Sequence, residues 1–191
     1  MNRKIIVVDN FYENPDSIRK IALSSNYKNQ ISDKVYFSDE ILSKVKILLR
    51  LENLFYNESS CGRFRVFCEN NVDKINVDFE SDWTGVVFLN LEKNLIHNAG
   101  LSFYKNKKFK IERCPNILES TCFGFTCFEE LNKCLLNQIK SEDDQWFSYF
   151  NVPIVYNRLV LFRSKLWFSF TENFGNNPET AKLIHSFSFT N

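Results

Sequence analysis

Apolar positions along this chain keep two periods, and the change from one to the other divides it. Near the start, "KIIVVDNFY" opens with β-branched residues and reads as a short strand ending at Asp9–Asn10. In "NPDSIRKIALSSN", Ile18, Ile21 and Ala22 recur at helical spacing. Asn14 stands at the N-cap, Pro15 at the first helical position and Asp16 in the first turn, so the helix has a marked beginning. A second helix is predicted in "SDEILSKVKILLRLENLF", with Ser38 as cap, acids in its first turn, and Ile41, Leu42, Val45, Leu48 and Leu49 on one face.

Beyond that point the period falls to two. "GRFRVFCE" sets Phe64, Val66 and Cys68 against Arg63, Arg65 and Phe67. Ile75–Asp78 and Trp83–Asn90 read as two strands joined by a short acidic turn, followed by strands in "AGLSFYKN" and "FKIER". A helix interrupts in "FEELNKCLLNQI", where Leu131, Leu135 and Ile139 share a face. The chain then returns to strands in "YNRLVLF", "KLWFSF" and "AKLIHSFSF". Two helices followed by many short, non-local strands predict an α+β protein, a sandwich or barrel with the N-terminal helices packed on it.

Composition narrows this picture. At 191 residues, with 44% hydrophobic and 16% aromatic residues, the chain is long enough for one well-filled domain, residues 1–191, and too apolar for disorder. Five glycines and four prolines leave no room for a long flexible linker. No apolar run approaches the length of a membrane helix, and "MNRKIIVVDNF" lacks the apolar core of a secretion signal, so no membrane partner and a cytoplasmic location are expected. The net charge of +1 gives no global attraction for nucleic acid. Its one local exception is "KNKKFKIER", which reads more readily as a solvated loop than as a phosphate-binding patch. The six cysteines form no C-x-x-C pair, and Cys122, Cys127 and Cys134 lack the spacing of a zinc site, so they read as free thiols.

Several stretches taken in order carry a resemblance: "VVDNFYENPDSIRKIAL", "GRFRV", "DWTGVVFLN", "AGLSFYKN", "YNRLVLFRSKLWFSF", "NFG" and "AKLIHSFSF". Together they resemble the small prolyl-4-hydroxylase-like branch of the iron(II)/2-oxoglutarate-dependent oxygenase superfamily. The resemblance implies a double-stranded β-helix, a cupin-like jelly-roll barrel whose open end holds the metal. Chemistry in that family rests on two histidines and a carboxylate, which leave three cis positions free for 2-oxoglutarate and O₂. The first two ligands come as His-x-Asp, because alternate strand residues share a face. Here that pair is Asn76 and Asp78, and the distal histidine position holds Phe168. A further histidine that the branch often carries corresponds to Asn106. Lys182 matches the residue that anchors the distal carboxylate of 2-oxoglutarate, with Ile184 where a hydroxyl residue often helps. Arg158 is a pocket candidate, and its plainer reading is a turn residue paired with an acid, for example within "SEDD".

An amide oxygen is a poor neutral ligand for iron(II), and a phenyl ring is none. Of the expected triad only Asp78 remains, so the sequence predicts a non-catalytic binding or scaffold protein that takes no cofactor. Its ligand would be a small carboxylate, a peptide or a protein partner met at the barrel mouth. The alternative is an active 2-oxoglutarate-dependent hydroxylase of a peptide or small molecule, using iron(II) on a non-standard ligand set that recruits His97 or His185.

Overall fold

In the computed structural model, both predicted helices begin where their caps place them. It describes residues 3–58, 60–71, 74–92, 96, 98–127, 130, 131, 133–135, 137 and 145–191. The Asn14 side chain accepts from the Ser17 amide, and helix α1 runs Pro15–Leu23. Ser38 caps helix α2, Asp39–Leu49, by accepting from the Ile41 amide. Helix α2 ends at Arg50 in the left-handed conformation, φ 57° and ψ 44°.

The strands form two sheets. In the larger, β1 (Ile5–Val8), β9 (Leu159–Arg163), β6 (Trp83–Phe88), β11 (Lys182–Thr190), β5 (Arg63–Phe67), β3 (Ile31–Val35) and β2 (Tyr27–Lys28) lie in that spatial order, and β4 (Phe55–Tyr56) also pairs with β11. The smaller sheet has the order β10 (Trp167–Thr171), β7 (Gly100–Asn106), β8 (Trp146–Pro153). Every pairing is antiparallel.

Alternation sorts the side chains into three layers. One face of the large sheet, through Phe64, Trp83, Val87, Leu161, Leu183 and Phe187, packs on Ile18 and Ala22 of α1 and Ile41 and Val45 of α2. Its other face, through Val86, Phe88, Val160, Phe162 and Ile184, meets Leu101, Phe103 and Val152 of the small sheet. The outer face of the small sheet is closed by Val77, Cys114, Leu131, Leu135 and Trp167. The middle layer is the barrel interior. Phe162 meets Phe103 and Phe168 edge-on at 5.1 and 5.0 Å between ring centres, so rings and aliphatic side chains fill it together.

The structure departs from the sequence reading at several elements. Ile75–Asp78 is no full strand: it touches β10 through the single bridge Asn76–Phe168. "FKIER" forms only the bridge Arg113–Leu166, and leads into a short helix α3, Ile117–Cys122, started by a capping box of Asn116 and Glu119. Of the predicted helix "FEELNKCLLNQI", residues 130, 131, 133–135 and 137 are helical, while Ile139 lies outside the described residues. No helix among the described residues is long and apolar enough to cross a membrane.

Candidate functional site

The barrel opens on a cavity of about 350 Å³ lined by Asn76, Asp78, Thr84, Phe168, Phe170 and Ile184, with Arg65 at its edge. Three elements bring these together. β10 carries Phe168 and Phe170 inward while Trp167 turns outward. The Asn76 and Phe168 backbones exchange two hydrogen bonds, of 2.7 and 2.9 Å, which lock their register. Val77 faces the outer layer, so its neighbours Asn76 and Asp78 share the cavity side. The three positions that the resemblance aligns with an iron triad therefore stand together around one cavity.

Their side chains are committed elsewhere. The Asn76 Oδ1 accepts from the Val77 amide at 2.8 Å. Asp78 closes a turn: its Oδ1 accepts from the amides of Glu80 at 2.9 Å and Ser81 at 3.3 Å, and its Oδ2 accepts from the Thr84 hydroxyl at 3.3 Å. Phe168 presents a ring to Phe162 and Phe170 and offers no donor atom to a metal. Iron(II) in this fold is held by imidazole and carboxylate. One carboxylate, already accepting three hydrogen bonds, beside an amide and a phenyl ring does not fit that ion. Among the described residues, no group of three His, Cys, Asp or Glu side chains is placed to hold a metal.

His185 sits on the opposite, helix-covered face of β11 and is fully buried. Its Nδ1 accepts from the Tyr12 hydroxyl at 2.6 Å and its Nε2 donates to the Tyr36 carbonyl at 2.9 Å, which defines one neutral tautomer. Burial pushes its pKa down to about 4, against the opposing pull of backbone hydrogen bonds at Gly62 and Tyr36. Both ring nitrogens are in use, so His185 supplies no ligand to the barrel. His97 lies outside the described residues.

Lys182 is also fully buried, and its ammonium donates to the Thr171 carbonyl at 2.7 Å and to Asn173 Oδ1 at 2.8 Å. That ties the start of β11 to the loop after β10, and Lys182 does not line the cavity. Asn106 is buried at the end of β7, where its Oδ1 accepts from the Phe109 amide at 3.0 Å and shapes the turn. Arg158 makes a two-pronged pair with Asp9, at 2.6 and 3.0 Å, and that hydrogen bonding holds the Asp9 carboxyl below the usual range. Its suggested partners in "SEDD" lie outside the described residues. In the basic segment, Arg113 pairs with Glu119 at 2.9 and 2.5 Å, and the Lys108 ammonium lies 5.2 Å from the Phe109 ring centre.

Arg65 is the residue that sequence reasoning missed. It is exposed at the cavity edge, yet enough protein surrounds its guanidinium for desolvation to lower its pKa, with the Asp78 carboxylate pulling the other way. Among the described residues its side chain makes no hydrogen bond or ion pair. The signal was present in β5, where Arg65 shares a face with Phe67 and opposes Phe64 and Val66.

No protein-family model matches the chain, and no curated protein matches it in sequence. Solved structures do match. HygX from Streptomyces hygroscopicus, with nickel and 2-oxoglutarate bound, superposes with a TM-score of 0.52 at 10% identity, covering 98% of this chain and 82% of that one. A novel N-substituted L-amino acid dioxygenase from Burkholderia ambifaria AMMD follows, with a TM-score of 0.47, 11% identity and coverage of 98% and 86%. The Fe(II)/α-ketoglutarate-dependent dioxygenase TqaL gives 0.43 at 8% identity, covering 98% and 82%. The likeness to HygX shows the fold: this chain has the jelly roll of the iron(II)/2-oxoglutarate oxygenases.

Proposed function

We propose that this protein is a binding protein on an oxygenase-type jelly roll, without iron chemistry of its own, and that its barrel mouth takes a small carboxylate. The observation that carries the reading is the donor set around the cavity. Asn76 and Phe168 are backbone partners at the two positions where histidines would be needed, and Asp78 is spent on its own turn. The space around them persists. About 350 Å³ is at the low end of small-molecule sites, which run from about 300 to 1,000 Å³.

The walls favour one ligand chemistry. Arg65 brings a guanidinium that makes no hydrogen bond or ion pair among the described residues, a fork matched to a carboxylate. Phe168, Phe170 and Ile184 supply an apolar wall. Asp78 repels a second carboxylate, and the Lys182 ammonium already donates to protein oxygens. A monocarboxylate with an apolar body suits these walls better than a dicarboxylate such as 2-oxoglutarate, and the cavity is small for a peptide.

An anaerobic titration with manganese(II), with and without 2-oxoglutarate, tests the first half through metal content and thermal shift. No stoichiometric metal is expected. A panel of small carboxylates in the presence of chelator tests the second half. A binder at a hundred times its Kd adds about 2.7 kcal/mol, or about 5–10 °C in Tm, and Arg65→Gln removes that gain. Stoichiometric metal that tightens with 2-oxoglutarate would overturn the reading. It would install the alternative, a hydroxylase with a non-standard ligand set, with His97 as the donor to examine.

A further inference from the structure

Trp83 and Thr84 are neighbours on β6 but serve opposite faces of the large sheet. Thr84 lines the barrel cavity, whereas Trp83 belongs to the helix-covered layer. There it lines a second cavity, of about 380 Å³, with Ile6 of β1, Leu48 and Leu49 at the end of α2, and three arginines, Arg3, Arg50 and Arg163. This cavity is separate from the barrel mouth, and among the described residues no acidic side chain lines it.

The arginines are unusual for this chain. Lysines and arginines number 24 against 23 acids, so three guanidinium groups meeting without an acid is a local departure, and no consequence of a basic protein. Elsewhere Arg113 and Arg158 find carboxylates, and Arg19 finds the Leu89 carbonyl. Among the described residues, the side chains of Arg3, Arg50 and Arg163 make no hydrogen bond or ion pair. Arg163 lies over the Trp83 ring, its guanidinium carbon 4.2 Å from the ring centre, a contact to the π face that leaves hydrogen bonding to other groups open. Arg50 occupies a left-handed position, φ 57°, where glycine would be the less strained residue.

Trp83 itself is only 3% exposed; among the described residues its indole N–H, like those of Trp146 and Trp167, is buried without an acceptor, and the ring serves as the wall against which Arg163 packs. The end of α2 opposes an anion through its dipole. That effect is blunted because the carbonyls of Lys46 and Ile47 already accept from the Leu51 and Arg50 amides.

We propose that this cavity binds a phosphate-bearing molecule, its phosphoryl oxygens held by Arg3, Arg50 and Arg163, with the Trp83 ring beneath Arg163 as the reporter of its occupancy. A carboxylate has two oxygens and one charge, and one guanidinium fork neutralises it while meeting both oxygens. A phosphoryl group offers three oxygens and nearly two charges, which three forks can share.

The test follows the three indole N–H resonances in nitrogen-15 spectra, with that of Trp83 identified by its loss in Trp83→Phe. Inorganic phosphate and pyrophosphate are titrated at ionic strength held constant with chloride, with acetate as control. A saturable shift of the Trp83 resonance is expected with pyrophosphate. Arg163→Gln and Arg50→Asn, the latter tolerant of the left-handed backbone, each weaken binding by about tenfold or more. Arg3 and Arg50 are both exposed, so Arg3→Gln and Arg50→Asn keep the test open if Arg163→Gln fails to fold. Vesicles of phosphatidylcholine with phosphatidic acid form a second arm. Arginine-dependent sedimentation assigns the phosphate to a lipid headgroup, and pyrophosphate binding without it assigns a soluble compound. No saturable shift, an equal shift with acetate, or affinity unchanged in the arginine variants would overturn the proposal. So would loss of phosphate binding in Arg65→Gln, which would move the site to the barrel mouth.

Discussion

His185 gives this fold a built-in dependence on pH whose size follows from the structure. In the unfolded chain its imidazole titrates near 6.5, and in the folded protein near 4, because burial disfavours the charged ring. A base with a depressed folded pKa leaves stability intact above 6.5 and removes it as pH falls through the interval to about 4. The whole interval is worth about 3 kcal/mol, and about 2 kcal/mol of it is lost between pH 7 and pH 5. For a chain of 191 residues, 2 kcal/mol lowers Tm by about 4–8 °C. The groups around the ring do not confuse the window. Tyr12 is raised well above its ordinary value and the Cys61 thiol is pushed up to about 11, both by burial.

Urea unfolding at pH 7, 6 and 5 measures this, with the slope against denaturant checked for constancy. Wild type should lose about 2 kcal/mol over that range, while His185→Gln is less stable at pH 7 and loses little further on acidification. With only two histidines in the chain, His97→Gln serves as the control and keeps the wild-type response. An equal acid response in wild type and His185→Gln would refute the reasoning. A response that vanishes in His97→Gln would refute it as well, and would turn attention to His97.

Asp78→Ala removes the acceptor for the Glu80 and Ser81 amides, so stability measured by urea midpoint should fall by about 1–2 kcal/mol with no change in metal content. Asn157→Ala breaks two hydrogen bonds with the Tyr12 backbone, of 2.8 and 2.9 Å, and places alanine at φ 62°. A loss of about 2–4 kcal/mol is expected in the same assay. Gly175 has φ 69°, and an added Cβ would stand 2.4 Å from the Thr180 carbonyl carbon. Gly175→Ala should therefore cost about 3 kcal/mol or more and lower Tm by several degrees.

Elements with one clean apolar face were readable from sequence, and those without one were not. Helices α1 and α2 carry both a cap and a stripe. Strand β8 was missed because exposed Phe147, Tyr149 and Phe150 break any alternation of apolar and polar residues. Strands β2 and β3 are short and mostly exposed, and show no stripe at all. Ile75–Asp78 has the strand pattern but makes one bridge, because the Asp78 carboxylate closes a turn directly after it. That Asn76 and Asp78 share a face was legible from local alternation, whereas Phe168 was joined to them only by the family resemblance. Arg65 was not, because the polar face of a strand reads as solvent-facing until a second sheet is laid over it. Arg3, Arg50 and Arg163 are far apart in the chain: the pairing of β1 with β9 brings Arg3 near Arg163, and the packing of α2 on the large sheet adds Arg50.

The same contrast explains how an oxygenase-type frame can stand without oxygenase ligands. Asn76 and Phe168 are held together by backbone hydrogen bonds, which any pair of side chains would permit. In the barrel Phe162 packs edge-on against Phe103 and Phe168, an apolar cluster to which a phenyl ring at position 168 adds more apolar contact than an imidazole would. Changing the ligand positions therefore costs the fold little. The frame reports on backbone geometry, while the donor atoms report on chemistry, and it is on those donors that the proposal of an organic anion in place of iron rests.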